Sequence, residues 1–224
     1  MRIAENVEMI ELGSMNPILT WDASHLVLID AGFPGQTDLF VKAIEDCGFK
    51  ASDLTEIILT HQDIDHVGCV ADLLKLAPAA KVIAHPVEVP YIDGTKTPIK
   101  LAQLENSSAP LTDQQKEWRQ KLRAGFAQTK VNVGQKVEDQ EVLPYCGGIE
   151  IVFTPGHTPG HIALYLKESR ILVTGDALNF TGTKITGSNP VYTDDMAEAQ
   201  RSLQKMKAIN PKGYASYHSG FLRV

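Results

Sequence analysis

Short apolar runs punctuate the first third of the chain. Leu26-Val27-Leu28-Ile29, Ile57-Ile58-Leu59 and Val82-Ile83-Ala84 are too short for helices, rich in branched side chains and bounded by polar residues. That pattern predicts buried strands. Between them the apolar positions change period. Leu39, Phe40, Ala43, Ile44 and Cys47 recur at helical spacing from Thr37 to Cys47, and Gly48 is placed to cap the helix. A second helix is predicted from Cys69 to Leu76, ending before Pro78. Residues 7–12 and 17–21 predict two opening strands, broken at Gly13-Ser14 and Asn16. Alternating strand and helix is the texture of layered α/β folds.

Residues 86 to about 130 interrupt this rhythm. Pro86, Pro90, Pro98 and Pro110 break long elements, and one helix is expected from Thr112 to Gln128, with Trp118, Leu122 and Phe126 along one stripe. The stripe reads first as packing and second as part of an excursion that shapes a pocket. Lys116, Arg119, Lys121 and Arg123 make this helix basic, which reads as a solvated face. Strands then dominate: Ile149 to Phe153, Ile162 to Leu166, Ile171 to Thr174 and Gly213 to Tyr217. A Gly/Thr/Asn-rich loop spans 179–190, and an amphipathic helix is expected from Asp194 to Met206. With no linker or low-complexity segment, 1–224 is expected to be one domain with a helical excursion at about 86–130.

Chemistry collects where the strands end. The run Thr60-His61-Gln62-Asp63-Ile64-Asp65-His66-Val67-Gly68 follows the Ile57 strand, at the carboxyl edge where α/β folds place ligands. Four metal-binding side chains fall within six positions. If the loop is extended, alternation points His61, Asp63 and Asp65 one way and His66 the other. A bend would let one loop feed two adjacent metals. Other strand ends deliver Asp30, His157, Asp176 and His218. Imidazoles with carboxylates suit divalent metals held by nitrogen and oxygen, and a metal pair acidifies a water for hydrolysis. There is no G-x-S-x-G elbow, P-loop or G-x-G-x-x-G.

Bulk properties narrow the picture further. The net charge is −6 and the pI about 5.6, which disfavours nucleic acid as a partner. No apolar run suffices for a membrane span, and Met1 to Leu12 lacks a signal-peptide core, so a cytoplasmic location is expected. Cys47, Cys69 and Cys146 are odd in number and widely spaced, which suits reduced thiols.

The ordered set His61-x-Asp63-x-Asp65-His66, Pro155-Gly156-His157-Thr158-Pro159-Gly160-His161, Gly175-Asp176-Ala177 and His218 resembles the motifs of the metallo-β-lactamase superfamily. The resemblance runs from the Leu28-Ile29-Asp30-Ala31-Gly32 strand end to His218. It implies an αββα sandwich of two mixed sheets flanked by helices. It also implies a first metal on His61, Asp63 and His157, a second on Asp65, His66 and His218, and Asp176 bridging them. Asp30 would orient the loop or a ligand histidine.

The chain departs from the family pattern His-x-His-x-Asp-His by carrying Asp63 in place of the second histidine. Asp63, Asp65, Asp176 and one hydroxide would neutralise two divalent ions, where the usual pattern leaves one positive charge. Zinc is the expected metal, with Mn²⁺ or Fe²⁺ competing better because of Asp63. Among the other polar residues, His161 reads as packed or hydrogen-bonded, His85 as surface or structural and His25 as structural. Tyr91 and Tyr192 are minor candidates for a substrate carbonyl.

The resulting expectation is a binuclear hydrolase of a small-molecule ester, lactone, thioester or amide. A metal-activated water would attack, and Asp65 would orient it or protonate the leaving group. The alternatives are an iron-dependent redox enzyme on the same scaffold and a metal-binding relative without catalysis.

Overall fold

A computed structural model describes residues 1–224. The first half supplies β1 (Arg2–Ala4), β2 (Val7–Met9), β3 (Ile18–Trp21), β4 (Leu26–Ile29), β5 (Glu56–Ile58), β6 (Lys81–Ala84) and β7 (Gln135–Lys136), which lie side by side in that order. β1 to β4 are antiparallel; β4 to β7 are parallel. The second half supplies β8 (Val142–Leu143), β9 (Ile149–Phe153), β10 (Ile162–Leu166), β11 (Ile171–Gly175), β12 (Leu178–Thr181), β13 (Lys184–Gly187), β14 (Gly213–Ser216) and β15 (Gly220–Arg223). Six of these form a second mixed sheet, ordered β15-β14-β11-β10-β9-β8, while β12 and β13 pair as a hairpin.

Side-chain alternation builds the layers. In β4, Val27 and Ile29 face the second sheet and join Ile58, Ile83, Ile151, Ile162, Leu164 and Val173 in an inter-sheet core. Leu26 and Leu28 face the other way, where they meet Phe40 and Ile44 of α1 (Thr37–Asp46) and Val70 and Leu73 of α3 (Val70–Leu76). On the far side, Val152, Ala163 and Leu172 pack against Leu203 and Met206 of α7 (Met196–Ala208). Burying one such aliphatic side chain contributes roughly 1.5–3 kcal/mol relative to leaving it exposed. The architecture is helices, sheet, sheet, helix, which is the αββα sandwich expected from the sequence.

Several details differ from the sequence reading. The Pro-rich stretch contains two short helices, α4 (Val89–Ile92) and α5 (Ile99–Glu105), besides α6 (Asp113–Phe126). Prolines there sit at or just before helix starts, where the missing N–H costs nothing. Thr112 caps α6 through a capping box with Gln115. The 179–190 loop holds the β12–β13 hairpin, turning at Gly182, whose φ is 58°. Asp195 lies outside α7 and caps it, accepting from the backbone N–H groups of Ala197 and Glu198. The chain ends in one more antiparallel strand than Gly213 to Tyr217 alone predicts. Cys47 and Cys69 cap helices rather than lie inside them, and all three cysteines are free thiols.

Candidate metal centre

The loop after β5 sets the site. His61 lies in the loop three residues past the strand, and Asp63, in extended backbone, occupies the cap position of α2 (Ile64–Val67). The helical turn therefore begins before Asp65, so Asp65 leaves the face of His61 and Asp63 and groups with His66. The bend succeeds because Gly68 lets α2 close onto the loop after β4. A Cβ at Gly68 would stand 2.2 Å from the Gly32 carbonyl oxygen, to which the Gly68 N–H donates at 2.8 Å.

Two groups of ligand-type atoms result. His61, Asp63, His157 and Asp176 form one, all buried; Asp65, His66 and His218 form the other. Within each group the atoms lie within 4.8 Å of one another. Asp176 stands between the groups. Its Oδ2 is 3.4 Å from His157 Nε2 and 3.3 Å from His218 Nε2, and its Oδ1 is 3.3 Å from His66 Nε2. Asp63 Oδ2 lies 3.2 Å from His61 Nε2 and 3.0 Å from His157 Nε2. Asp65 Oδ2 is 3.4 Å from His218 Nε2. All seven residues that the sequence singles out as metal ligands thus meet at one sheet edge.

Neighbouring groups fix which ring nitrogens face inward. Asp30, held at φ 62°, accepts from Thr60 N at 2.9 Å and Thr60 Oγ1 at 2.8 Å. It also accepts from His66 Nδ1 at 2.9 Å. With its proton given to Asp30, Thr60 Oγ1 accepts from His61 Nδ1 at 3.0 Å. His218 Nδ1 donates to Ser14 O at 2.8 Å. The Nε2 atoms of all three rings are left for the centre. His157 Nδ1, the ring nitrogen that does not meet Asp63, is buried without a hydrogen-bond partner in the protein, and so are His61 Nε2, His66 Nε2 and Asp176 Oδ1. Buried polar atoms are rarely left in that state, and the convergence of the last three fits a divalent cation.

The electrostatics agree with a cation-accepting basin. Burial and the neighbouring His66 ring push His61 down to about 4. Burial opposes ionisation of Asp63 and Asp176, yet the histidines, and Lys100 beside Asp63, outweigh it and hold both carboxyls well below the usual range. For His218, burial is outweighed by hydrogen bonds to Asp176 and Asp65, which lift it to about 10. Burial is likewise outweighed at His66, raised well above the usual imidazole range by Asp30 and Asp176.

Other sequence candidates separate cleanly. His161 is buried at the edge of the centre. Its Nε2 accepts from the Asp176 backbone N–H at 3.1 Å and its Nδ1 donates to Thr154 Oγ1 at 2.8 Å, so both nitrogens are engaged. His85 is buried and stacks on Phe153 at 4.5 Å. His25 pairs with Asp22. Tyr192 lines the cavity beside the centre, whereas Tyr91 lines a different one.

Three residues of the site carry no motif signal. The Tyr217 ring lies against His66, tilted by 32° with centres 3.8 Å apart, and its hydroxyl donates to Asp65 O. Glu88, buried, accepts from Gln62 N at 3.0 Å, Gln62 Nε2 at 2.9 Å, Thr158 Oγ1 at 2.9 Å and Gly160 N at 2.7 Å. It ties the loop of His61 and Asp63 to the loop of His157. Lys100, from α5, puts its ammonium against Asp63 Oδ2 and 3.1 Å from His157 Nε2. Only the proline spacing around 86–98 hints that this segment folds back over the site.

A cavity of about 280 Å³ opens beside the centre, walled by Phe33, Ile64, Trp118, Leu122 and Phe126, with Lys100 and Tyr192 at the centre's side. A second, of about 620 Å³, shares Asp176, Tyr192 and His218 and is lined by Asn179, Ser188, Asn189 and Gln200. No helix is long and apolar enough to cross a membrane.

Two layered sheets with a histidine–aspartate centre at one edge define a class of metal-binding fold. The sequence model of the metallo-beta-lactamase superfamily matches residues 13–218, and the chain belongs to that family. The probable metallo-hydrolase YflN of Bacillus subtilis is 28% identical over 209 residues, covering 86% of this chain and 74% of that protein. A hydroxyacylglutathione hydrolase of Buchnera aphidicola is 28% identical over 196 residues, 87% of this chain and 57% of the relative. A metallo-beta-lactamase family protein from Thermus thermophilus superposes with a TM-score of 0.72 at 21% identity, covering 99% of this chain and 76% of its own, a likeness of fold.

Proposed function

We propose that this chain is a binuclear metal-dependent hydrolase of a small molecule bearing an ester, lactone, thioester or amide carbonyl. The observation that carries the reading is the set of buried, partnerless atoms, His61 Nε2, His66 Nε2 and Asp176 Oδ1, converging beside an open cavity. His61, Asp63 and His157 would hold one divalent ion, Asp65, His66 and His218 the other, with Asp176 shared; zinc suits this nitrogen-and-oxygen set. When bound, the ions supply Lewis acidity to a substrate carbonyl and lower the pKa of water.

The chain's own residues do the rest. Asp30 and Thr60 keep the imidazole nitrogens aimed inward. Asp65, on the cavity wall, takes up the proton released by the attacking water and returns it to the leaving group. The apolar wall of Phe33, Ile64, Trp118 and Leu122 accepts the acyl portion and excludes water around it. The polar cavity beyond Tyr192 takes a polar leaving group. Hydrolase names among the relatives support this direction of chemistry.

The test is metal-stripped protein reloaded with zinc and offered chromogenic esters, lactones and thioesters. Turnover that needs metal and is lost in Asp176→Asn supports the reading. Protein that binds metal fully and turns over none of these substrates overturns it.

A further inference from the structure

Lys100 occupies an unusual place. Its Nζ touches Asp63 Oδ2 and His157 Nε2, and those two atoms belong to the first group of ligand atoms. An ammonium and a divalent ion at that position would contest the same two ligands. The second group, Asp65, His66 and His218, has no lysine or arginine partner.

The lysine is not there by accident of a long side chain. The Ile99 N–H, at the start of α5, donates to Gln62 Oε1 at 2.8 Å, and Gln62 immediately precedes Asp63. Gln103 on the same helix donates to Asp194 at 2.9 Å, and Leu101 is buried. The base of Lys100 is therefore pinned over the Asp63 loop. Charge gives the arrangement a reason. Three carboxylates and one hydroxide cancel two divalent ions; Lys100 restores one positive charge beside the carboxylate that stands where the family pattern has a histidine.

We propose that Asp63 and Lys100 are a matched pair that makes the two metal positions unequal. The position at Asp65, His66 and His218 fills first. The position at His61, Asp63 and His157 fills only as the metal displaces the Lys100 ammonium from Asp63. The ammonium that would be displaced lines the cavity and lies 5.5 Å from the Tyr192 ring centre. The inference rests on the reading of these clusters as metal ligands.

The experiment is a competition titration of the metal-stripped full chain with Zn²⁺ against a chromogenic chelator, repeated with Co²⁺ to follow the ligand-field spectrum. The wild type is expected to take one tight and one weaker equivalent. Removing a unit positive charge in contact with the Asp63 carboxylate in Lys100→Met should tighten the weaker equivalent by about tenfold or more and leave the tight one within about threefold. Lys100→Gln, which keeps a polar tip, should behave the same way and guards against misfolding of the methionine variant. In an Asp63→His background, where the lysine loses its carboxylate and keeps only the contact with His157, Lys100→Met should change the weaker equivalent less than it does beside Asp63. Two equivalents bound alike, or a weaker equivalent that is unchanged or loosened in both lysine variants, overturns the matched pair while leaving the metal sites standing. Protein that takes up no metal at all overturns both readings.

Discussion

Removing the Glu88 carboxylate tests whether the two ligand-bearing loops depend on one buried acceptor. Glu88 has no exposed surface, and its two oxygens receive four hydrogen bonds, two of them from backbone N–H groups, at Gln62 and Gly160. In Glu88→Ala both N–H groups lose their acceptor inside the protein. A buried donor left unpaired costs about 1–3 kcal/mol, so the pair costs roughly 2–6. Burial raises the Glu88 pKa, which shows that holding the charge there already works against the fold. Losing that penalty offsets part of the cost, and a net loss of about 2–4 kcal/mol is expected.

Glu88→Gln keeps the volume but turns a donor toward one pair of donors, so a smaller loss of about 1–3 kcal/mol follows from the same rule. Because burial raises the Glu88 pKa, the stability linked to its protonation is fully present below the ordinary value of 4.5 and is lost as pH rises through the raised one, in addition to the hydrogen bonds the carboxylate accepts. The glutamine variant should lack that dependence. Urea unfolding of metal-free protein measures the stability. A zinc titration measures the second consequence, a loss of affinity of about 10–100-fold, since Glu88 sets the mutual position of the His61 and His157 loops. A glutamine variant with wild-type stability and wild-type zinc affinity would refute the clamp.

Gly68→Ala should destabilise by at least about 1–3 kcal/mol, because the added Cβ meets backbone atoms of Gly32, Phe33 and Pro34 at 2.2–2.3 Å and none can swing away; thermal melting checks this. Metal uptake should release protons. His218 is raised to about 10 in the metal-free protein, so it is protonated at neutral pH and must lose that proton to bind. Apparent zinc affinity therefore rises with pH toward that value, and calorimetry in buffers of different ionisation enthalpy reads the released protons. Trp118→Ala should raise KM for substrates with bulky acyl groups more than for acetyl esters, because Trp118 walls the apolar cavity.

The fold was legible where local pattern and tertiary position agree. The runs at Leu26 and Ile57 are apolar on both faces because each lies between a helix layer and a second sheet, and no other environment suits them. The seven ligand-type residues were legible as a group because each sits at a strand end or in the loop beyond it, a few residues past a short apolar run. The extended-loop geometry was not. Nothing in Ile64-Asp65-His66-Val67 announces a helical turn; it forms because Gly68 permits contact with the Gly32 carbonyl, a neighbour 36 residues away in sequence. Helices α4 and α5 were missed because Pro90 and Pro98 read as breakers, although they stand where a helix tolerates them.

Glu88 and Lys100 illustrate a different kind of invisibility. A motif records side chains that touch a common atom from neighbouring positions, and neither residue belongs to such a run. Glu88 acts on backbone groups, which every residue possesses, and Lys100 acts on a carboxylate 37 positions earlier. Their placement comes from the segment between β6 and β7, whose sequence specifies only short helices and proline stops. Counting the charge of Asp63, Asp65 and Asp176 from the sequence alone makes the centre neutral with two divalent ions and one hydroxide. Adding the ammonium from α5 returns one positive charge and weakens the case for hard metals built on Asp63. Any metal preference of this centre would therefore be a joint property of the ligand loop and the segment folded over it.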